Sequence, residues 1–286
     1  MYSWKCLGCE SLNPYPEITE CPQCGREISP SQKELLYRVE FLKEQAEMGN
    51  LYAAESLYSI LKQGNHIGAS IEESVQWLGF AAENGSPTAQ FELGKLYFSE
   101  NDLIPQNDDE AFKWFVRSLN SGYPYAKRYI AYCYLYGDGV TQDEAKAISL
   151  LKEAAEEGDP DSMELLGRCY RNGIGVEEND EEGFYWLESA SEVEDYELSS
   201  KAAYELGCYY YFGEVTKEDE EAALPYLDSA YRDGIQMAGV YLGVIFYNNG
   251  HEKTIQAAKN IWTQIAQSED EAASERAQQY LDKAFN

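Results

Sequence analysis

Bulky and small residues alternate along most of this chain in a pattern that repeats every 35–40 residues. One bulky residue stands in the middle of a predicted helix in each period: Trp77, Trp114, Leu150, Trp186, Tyr226 and Ile261. A small residue lies three positions before each of them, and a glycine eight positions after it often ends the helix. Self-similarity with this period is typical of helical repeat proteins.

A second helix is predicted before each of these, with its own column of mostly small residues: Tyr58, Gly94, Ala131, Gly167, Gly207 and Gly243. A large residue follows three positions later, as at Tyr97, Tyr134 and Tyr170. Small residues let two helices approach closely, and a single hairpin cannot bury its own apolar face, so the hairpins are expected to stack. We therefore expect no strand in residues 50–285, and burial of the bulky column between helices, at Trp77, Trp114, Leu150, Trp186 and Tyr226.

The period divides residues 31–286 into a leading half repeat at 31–49, six repeats and a final capping helix at 271–285. The predicted repeats lie near residues 50–85, 86–122, 123–158, 159–197, 198–234 and 235–270.

Residues 126–158 carry the residues of a known repeat: Ala126, Ile130-Ala131, Tyr134, Gly137-x-Gly139-Val140, Asp143, Lys146-Ala147, Leu150, and Ala154-Ala155-Glu156-x-Gly158. The segment resembles a Sel-one-like repeat, and residues 162–190 repeat the pattern. The resemblance implies an all-α fold, a right-handed α-solenoid of about six helix-hairpin repeats. Members of this family generally scaffold protein complexes, so the resemblance also implies a non-enzymatic adaptor.

The first 30 residues form a separate predicted module, with two pairs of closely spaced cysteines, Cys6-x2-Cys9 and Cys21-x2-Cys24. Four thiolates in this spacing surround one zinc ion tetrahedrally and leave no open position for catalysis. A segment this short has no useful core, so metal binding supplies its folding free energy. We expect one structural zinc; iron in a rubredoxin-like site is the alternative.

With Trp4 and Asn13, this segment resembles the Ran-binding-type zinc fingers and related zinc ribbons. Ubiquitin-binding members carry Thr-Phe directly after the second cysteine, where this chain has Glu10-Ser11. RNA-binding members rely on arginines, and this segment has only Lys5 and Arg26 as basic residues, against four glutamates. Nucleic-acid or ubiquitin binding by the zinc module is therefore kept only as an alternative function.

The formal net charge of −29 opposes binding to nucleic acid and to anionic membranes. The first 30 residues lack the apolar core of a signal peptide, and no apolar run reaches the length of a membrane span. We therefore expect a cytoplasmic location and no membrane partner. An envelope-associated repeat protein, the remaining alternative, would need a signal peptide.

No catalytic constellation stands out. His66 and His251 both follow turn signals, and Cys133, Cys169 and Cys208 are predicted to be packing thiols. The sequence therefore predicts a protein without enzymatic activity.

The predicted binding residues are those on first helices that vary between repeats and are not fixed by packing. A protein or peptide is expected to contact them on the concave face: Arg128, Tyr132, Arg168, Arg171, Tyr204 and Tyr211. The competing interpretation is that these arginines only neutralise nearby carboxylates.

Overall fold

The structure is a computed structural model that describes residues 4–5, 12–13, 30–63 and 71–285. The described residues form fourteen helices and one short antiparallel ladder. In that ladder β1 (Trp4–Lys5) pairs with β2 (Leu12–Asn13), with Trp4 opposite Asn13. The described part of residues 50–285 contains helices and no strand, so the predicted all-helical repeat fold is confirmed there.

The chain divides into two compact units. Unit 1 (Met1–Asp143) contains β1, β2 and six helices: α1 (Pro30–Glu47), α2 (Leu51–Leu61), α3 (Ile71–Glu83), α4 (Pro87–Phe98), α5 (Asp108–Asn120) and α6 (Ala126–Tyr136). Unit 2 (Glu144–Asn286) contains eight: α7 (Glu144–Glu156), α8 (Pro160–Asn172), α9 (Asp180–Ser191), α10 (Ser200–Phe212), α11 (Glu220–Arg232), α12 (Gln236–Asn248), α13 (Glu252–Ile265) and α14 (Glu271–Phe285).

Consecutive helices pack as hairpins within each unit. In unit 1, α2 packs on α3 and α4 on α5; in unit 2, α8 packs on α9, α10 on α11 and α12 on α13. The last helix, α14, packs against α12 and α13. We call α2, α4, α6, α8, α10 and α12 the first helices, because each opens one repeat.

Side-chain caps fix where many of these helices begin. The side chain of Asn107 accepts the N–H of Glu110 (3.1 Å), and that of Asn179 accepts the N–H of Glu182 (3.1 Å). Three carboxylates follow Asn107 in the first turn of α5, where the helix dipole favours negative charge. Glycines fix where some helices end. Gly85, just past the end of α3, takes a φ of +95°, a conformation that glycine adopts without strain.

The buried column of the second helices lies one residue after the predicted one. Its members are at most 1% exposed: Leu78, Phe115, Leu151, Leu187, Leu227 and Trp262. Of the five residues predicted to be buried, Trp114 is (7% exposed), but the prediction is wrong for the four that remain partly exposed: Trp77, Leu150, Trp186 and Tyr226.

The small column of the first helices explains this shift of one residue. A Cβ on Gly94 would lie 2.7 Å from the Phe115 ring, and one on Gly167 would lie 2.8 Å from Leu187 Cγ. The space that each glycine leaves is therefore filled by the residue after the tryptophan. The larger indole ring lies at the rim of the contact, where part of it meets solvent.

The irregular stretch after α9 is anchored by a buried glutamate of α8. Glu164 accepts the hydroxyl of Tyr196 (3.1 Å) and the backbone N–H of Ser199 (2.9 Å). Within this stretch Asp195 has a φ of +59°. No other non-glycine residue in the described part of the chain has a positive φ. The inserted residues thus form an ordered turn that leads directly into α10.

Candidate protein-binding surface

The six predicted binding residues lie on first helices of both units. Arg128 and Tyr132 are on α6 of unit 1, whereas the other four are on α8 and α10 of unit 2: Arg168, Arg171, Tyr204 and Tyr211.

Arg171 forms an intramolecular cluster of charges in unit 2. Its Nη1 donates to Glu214 Oε2 at 3.1 Å and to Asp180 Oδ1 at 3.4 Å. The guanidinium also lies over the ring of Tyr209, 4.1 Å from its centroid, and the Tyr209 hydroxyl donates to Asp180 (2.9 Å). With its side chain only 22% exposed, Arg171 joins two carboxylates and a buried aromatic ring.

Arg168 forms a second, weaker ion pair beside this cluster. Its Nε lies 3.7 Å from Glu205 Oε1, and that Nε, like Glu205 Oε2, is buried without a hydrogen-bond partner. Burial raises the pKa of Glu205, and the positive charges of Arg168 and Arg171 partly offset this. Attraction across this pair is therefore electrostatic, without the hydrogen bonds that strengthen an ion pair.

Tyr204 and Tyr211 pack against one residue of α12. The Tyr204 ring is nearly parallel to the Tyr241 ring (10°), with centroids 6.4 Å apart, and the centroids of Tyr211 and Tyr241 are 5.1 Å apart. Burial raises the pKa of both predicted residues, that of Tyr211 to about 12. These tyrosines thus link α10 to the next first helix.

In unit 1, the first-helix face is aromatic. Tyr132 is 38% exposed and lies edge-to-face with Phe98, with centroids 5.7 Å apart, and also contacts Tyr136 (4.4 Å). Phe98 in turn contacts the buried Phe115 at 5.9 Å. Arg128 lies over the Tyr129 ring at 5.3 Å. The cluster combines a buried base with an exposed edge, as protein-binding surfaces commonly do.

Two carboxylates of unit 1 were not predicted as site residues. Asp138 lies two residues after the end of α6, just past its C-terminal cap Gly137, and Asp108 is the first residue of α5. Gly139, the residue after Asp138, comes so close to the backbone carbonyl of Asp108 that a Cβ on Gly139 would collide with it. Burial raises the pKa of Asp138, and the charge of Asp108 raises it further. We call these two residues the Asp108–Asp138 pair.

An alignment of the repeats could have revealed this pair. Asp138 stands seven residues after the small position Ala131, as Glu214 does after Gly207, and Asp108 stands six before Trp114, as Asp180 does before Trp186. A comparison of the charges at equivalent repeat positions would have found the pair, whereas a search for exposed variable residues did not.

The predicted metal ligands Cys6, Cys9, Cys21 and Cys24 lie outside the described residues, as does His66. Elsewhere, the described residues contain no group of three or more His, Cys, Asp or Glu side chains that could hold a metal ion. Cys133, Cys169 and Cys208 are buried, with free thiols. In the part of the chain that the structure describes, no helix is both long enough and apolar enough to cross a bilayer.

Paired helices in a 36-residue period, with aromatic and charged side chains on the first helices, define a helical-repeat protein. The family model of the Sel1 repeat matches residues 51–86, 87–123, 124–159, 160–194 and 200–235. The chain therefore belongs to the Sel1 repeat family, whose members act as protein-interaction scaffolds.

Known proteins similar to this chain agree with that assignment. A protective antigen of uropathogenic Escherichia coli with an SLR fold superposes with a TM-score of 0.71 at 22% identity, covering 92% of this chain and 54% of the antigen. A Sel1 repeat protein from Oxalobacter formigenes gives a TM-score of 0.67 at 24% identity, covering 90% and 72%. At these identities the likeness establishes the fold alone.

A curated relative adds a different comparison. Over 114 residues, 39% of this chain, the sequence is 29% identical to the chitin synthase regulator SKT5 of Saccharomyces cerevisiae. The matched segment spans only 16% of the length of that relative.

Proposed function

We propose that this protein is a non-enzymatic adaptor that binds a protein or peptide partner on its first-helix face. The observation that carries the proposal is the aromatic face of unit 1, where Tyr132 is 38% exposed over a packed aromatic base. Aromatic side chains of this kind supply large contact area at a small cost in conformational entropy. The yeast relative, named as a regulator of an enzyme, supports a role in binding rather than in catalysis.

Arg168, Arg171, Tyr204 and Tyr211 contribute less to binding in this proposal than the sequence suggested. The two arginines hold carboxylates of the same chain, and the two tyrosines pack on Tyr241. A partner would have to displace or share those contacts. The face of unit 1 is therefore the first surface to test.

The test compares two exposed tyrosines. Tyr132 lies on a first helix, whereas Tyr185, 56% exposed, lies on α9, a second helix. Proteins captured from cell extract by the wild type are identified by mass spectrometry, and the affinity of a purified partner is then measured. Tyr132→Ala should weaken binding about tenfold, corresponding to about 1.4 kcal/mol, and Tyr185→Ala should leave it unchanged.

Equal affinity of both variants would place the binding surface elsewhere. Failure of the wild type to capture any protein beyond what an unrelated acidic protein captures would contradict the adaptor function itself.

We also propose that residues 1–30 bind one structural zinc ion through Cys6, Cys9, Cys21 and Cys24. The antiparallel pairing of Trp4 with Asn13 supports it, because these two strands bracket the Cys6-x2-Cys9 segment in the sequence. A short hairpin carrying a C-x2-C pair is a common element of zinc ribbons. Reduced thiolate ligands fit a cytoplasmic location, which we propose as well.

Elemental analysis of the purified protein should give about one zinc per chain. Cys21→Ser should lose most of the metal, whereas Cys133→Ser, which replaces a buried thiol of the repeats, should keep it. Iron in place of zinc, or full zinc content in Cys21→Ser, would contradict the assignment.

A further inference from the structure

One position of the repeat is occupied differently in the two units. Four residues after the small position of the first helix, unit 2 has Arg171, whereas unit 1 has Phe98. Two residues after the small position of the next first helix, unit 2 has Tyr209, whereas unit 1 has Cys133. The acidic residues at the corresponding places are retained in both units.

In unit 2 the arginine fills the space between the acids. Arg171 lies within 3.4 Å of both Asp180 and Glu214, and over the ring of Tyr209. One backbone hydrogen bond that positions the second helix is the same in both units. Asn179 N–H donates to the carbonyl of Tyr170 (2.9 Å), and Asn107 N–H donates to the carbonyl of Tyr97 (2.8 Å). The first turns that carry Asp180 and Asp108 are thus anchored alike.

In unit 1 the described residues provide no such cation. Among the described residues, no lysine or arginine lies within ion-pair distance of Asp108 or Asp138; Asp108 accepts only the amide of Gln106 (3.1 Å). Gly139, the residue after Asp138, lies directly against the backbone carbonyl of Asp108. Burial raises the pKa of the Cys133 thiol, and the charges of Asp138 and Asp108 raise it further. No described cation of unit 1 therefore compensates the negative charge of the Asp108–Asp138 pair.

We infer that the Asp108–Asp138 pair binds an arginine or lysine side chain of the partner, which supplies from outside the positive charge that Arg171 supplies from within unit 2. The inference rests on the adaptor function proposed above and specifies the chemistry of the partner. Phe98 and Tyr132 supply the aromatic surface beside the cation, as Tyr209 does for Arg171. The net charge of −29 attracts a basic segment and repels nucleic acid.

The probe is a fluorescein-labelled peptide of alternating arginine and glycine, with a glutamate–glycine peptide as its negative control. Binding is followed by fluorescence anisotropy at near-physiological salt, because low salt exaggerates bulk attraction. The double variant Asp108→Asn/Asp138→Asn should weaken binding of the arginine peptide at least tenfold. Glu44→Gln/Glu47→Gln removes the same charge from exposed positions on α1 of the same unit and should weaken it less than twofold.

A second variant supplies the missing positive charge from the same chain. Phe98→Arg places at this position the residue that unit 2 carries, and it should lower affinity about tenfold. Glu44→Gln changes the net charge by the same amount and should have little effect. Circular dichroism of each variant checks folding, and Phe98→Arg decides the matter if the double aspartate variant does not fold.

Three results would overturn the inference. They are equal losses in the α1 control, unchanged affinity in Phe98→Arg, and no binding of the arginine peptide by the wild type. In each case a partner captured through Tyr132 would leave the adaptor function standing, so the two proposals fail separately.

Discussion

Units 1 and 2 use the same repeat to make first-helix faces of opposite character. In unit 2 the acidic positions Asp180 and Glu214 are neutralised by Arg171 of the same chain. In unit 1 the corresponding Asp108–Asp138 pair has a phenylalanine, Phe98, where that arginine would be. The second helix of each unit is nevertheless held by the same backbone hydrogen bond, from Asn107 to Tyr97 in unit 1 and from Asn179 to Tyr170 in unit 2.

The difference separates a stabilising arrangement from one suited to binding. Satisfying charges internally stabilises the fold and closes a surface to partners. Leaving like charges together costs stability, and proteins retain such costs mainly where function needs them. The unit with the less satisfied surface is therefore the better candidate for recognition.

The largest expected effect comes from the cores beneath the two faces. Phe115→Ala should cost about 3–5 kcal/mol and Leu187→Ala about 2–5 kcal/mol, because both are fully buried. Phe115 also supports Phe98 and Tyr129 through ring contacts, so its loss should disorder the aromatic face. Urea denaturation gives the free energies, and hydrogen exchange should show loosening confined to the mutated unit.

The tryptophan one residue earlier provides the control. Trp186→Ala should cost less than Leu187→Ala, because the Trp186 side chain is partly exposed and its Nε1 lacks a hydrogen-bond partner. The reverse order would contradict the assignment of the buried column.

The sequence predicted the helical hairpins and their period, because both follow from local spacing. It did not predict which column is buried, because Trp186 and Leu187 are both apolar and adjacent. The choice between them depends on the space opposite Gly167, which only the packed structure defines. A rule based on size alone selected the tryptophan.

The binding residues were harder to predict for a different physical reason. Variation between repeats correctly marks positions that the common packing does not fix, such as Arg171. It does not reveal whether such a residue is satisfied within its own chain, and the partners of Arg171 lie 9 and 43 residues away. The zinc ligands and their geometry remain predictions from spacing.

The next effect tests the internal neutralisation in unit 2. Arg171→Met should lower the free energy of unfolding by about 1–3 kcal/mol, because it leaves two carboxylates facing each other near a buried ring. Arg117→Met is the matched control in unit 1. Arg117 is 48% exposed and pairs with Glu83 at 3.3 Å, so its loss should cost at most about 1 kcal/mol. Equal costs would mean that Arg171 is an ordinary surface ion pair.

A smaller effect of opposite sign is expected at the acidic positions themselves. Glu214→Gln should destabilise the protein, because it removes a partner of Arg171. Asp138→Asn should stabilise it by about a few tenths of a kcal/mol, because burial and the charge of Asp108 both disfavour the Asp138 carboxylate. Both variants change the net charge equally, so opposite signs of the two stability changes would reflect the local surroundings of each carboxylate and not the net charge. Urea denaturation at pH 7 measures both.

The pH dependence follows from the raised pKa of Asp138. A carboxyl with a raised pKa binds its proton more tightly in the folded state, so wild-type stability from this group is present in acid and lost as pH rises through that pKa. The advantage of Asp138→Asn should therefore shrink as the pH is lowered. If the stability advantage of Asp138→Asn grew in acid, the proposed destabilisation by the Asp138 carboxylate would be contradicted.

The smallest expected effect is on the reactivity of a buried thiol. Burial raises the pKa of Cys133 to about 12, and the charges of Asp138 and Asp108 add to the shift. Because the thiolate is the reactive form, iodoacetamide should modify Cys133 very slowly at pH 8 in the native protein. Neutralising the pair in Asp108→Asn/Asp138→Asn should lower that pKa and speed the modification a few-fold, as followed by peptide mass spectrometry.

Cys169 serves as the internal control, because burial also raises its pKa, to about 11, and the charges that act on it belong to Arg168 and Glu144. Its modification rate should be the same in the wild type and in the double variant. Faster modification of both thiols would indicate a loosened fold rather than a local charge effect. Acceleration of Cys133 alone would show that the Asp108–Asp138 pair exerts an uncompensated field in unit 1, which is the property that distinguishes it from the neutralised pair in unit 2.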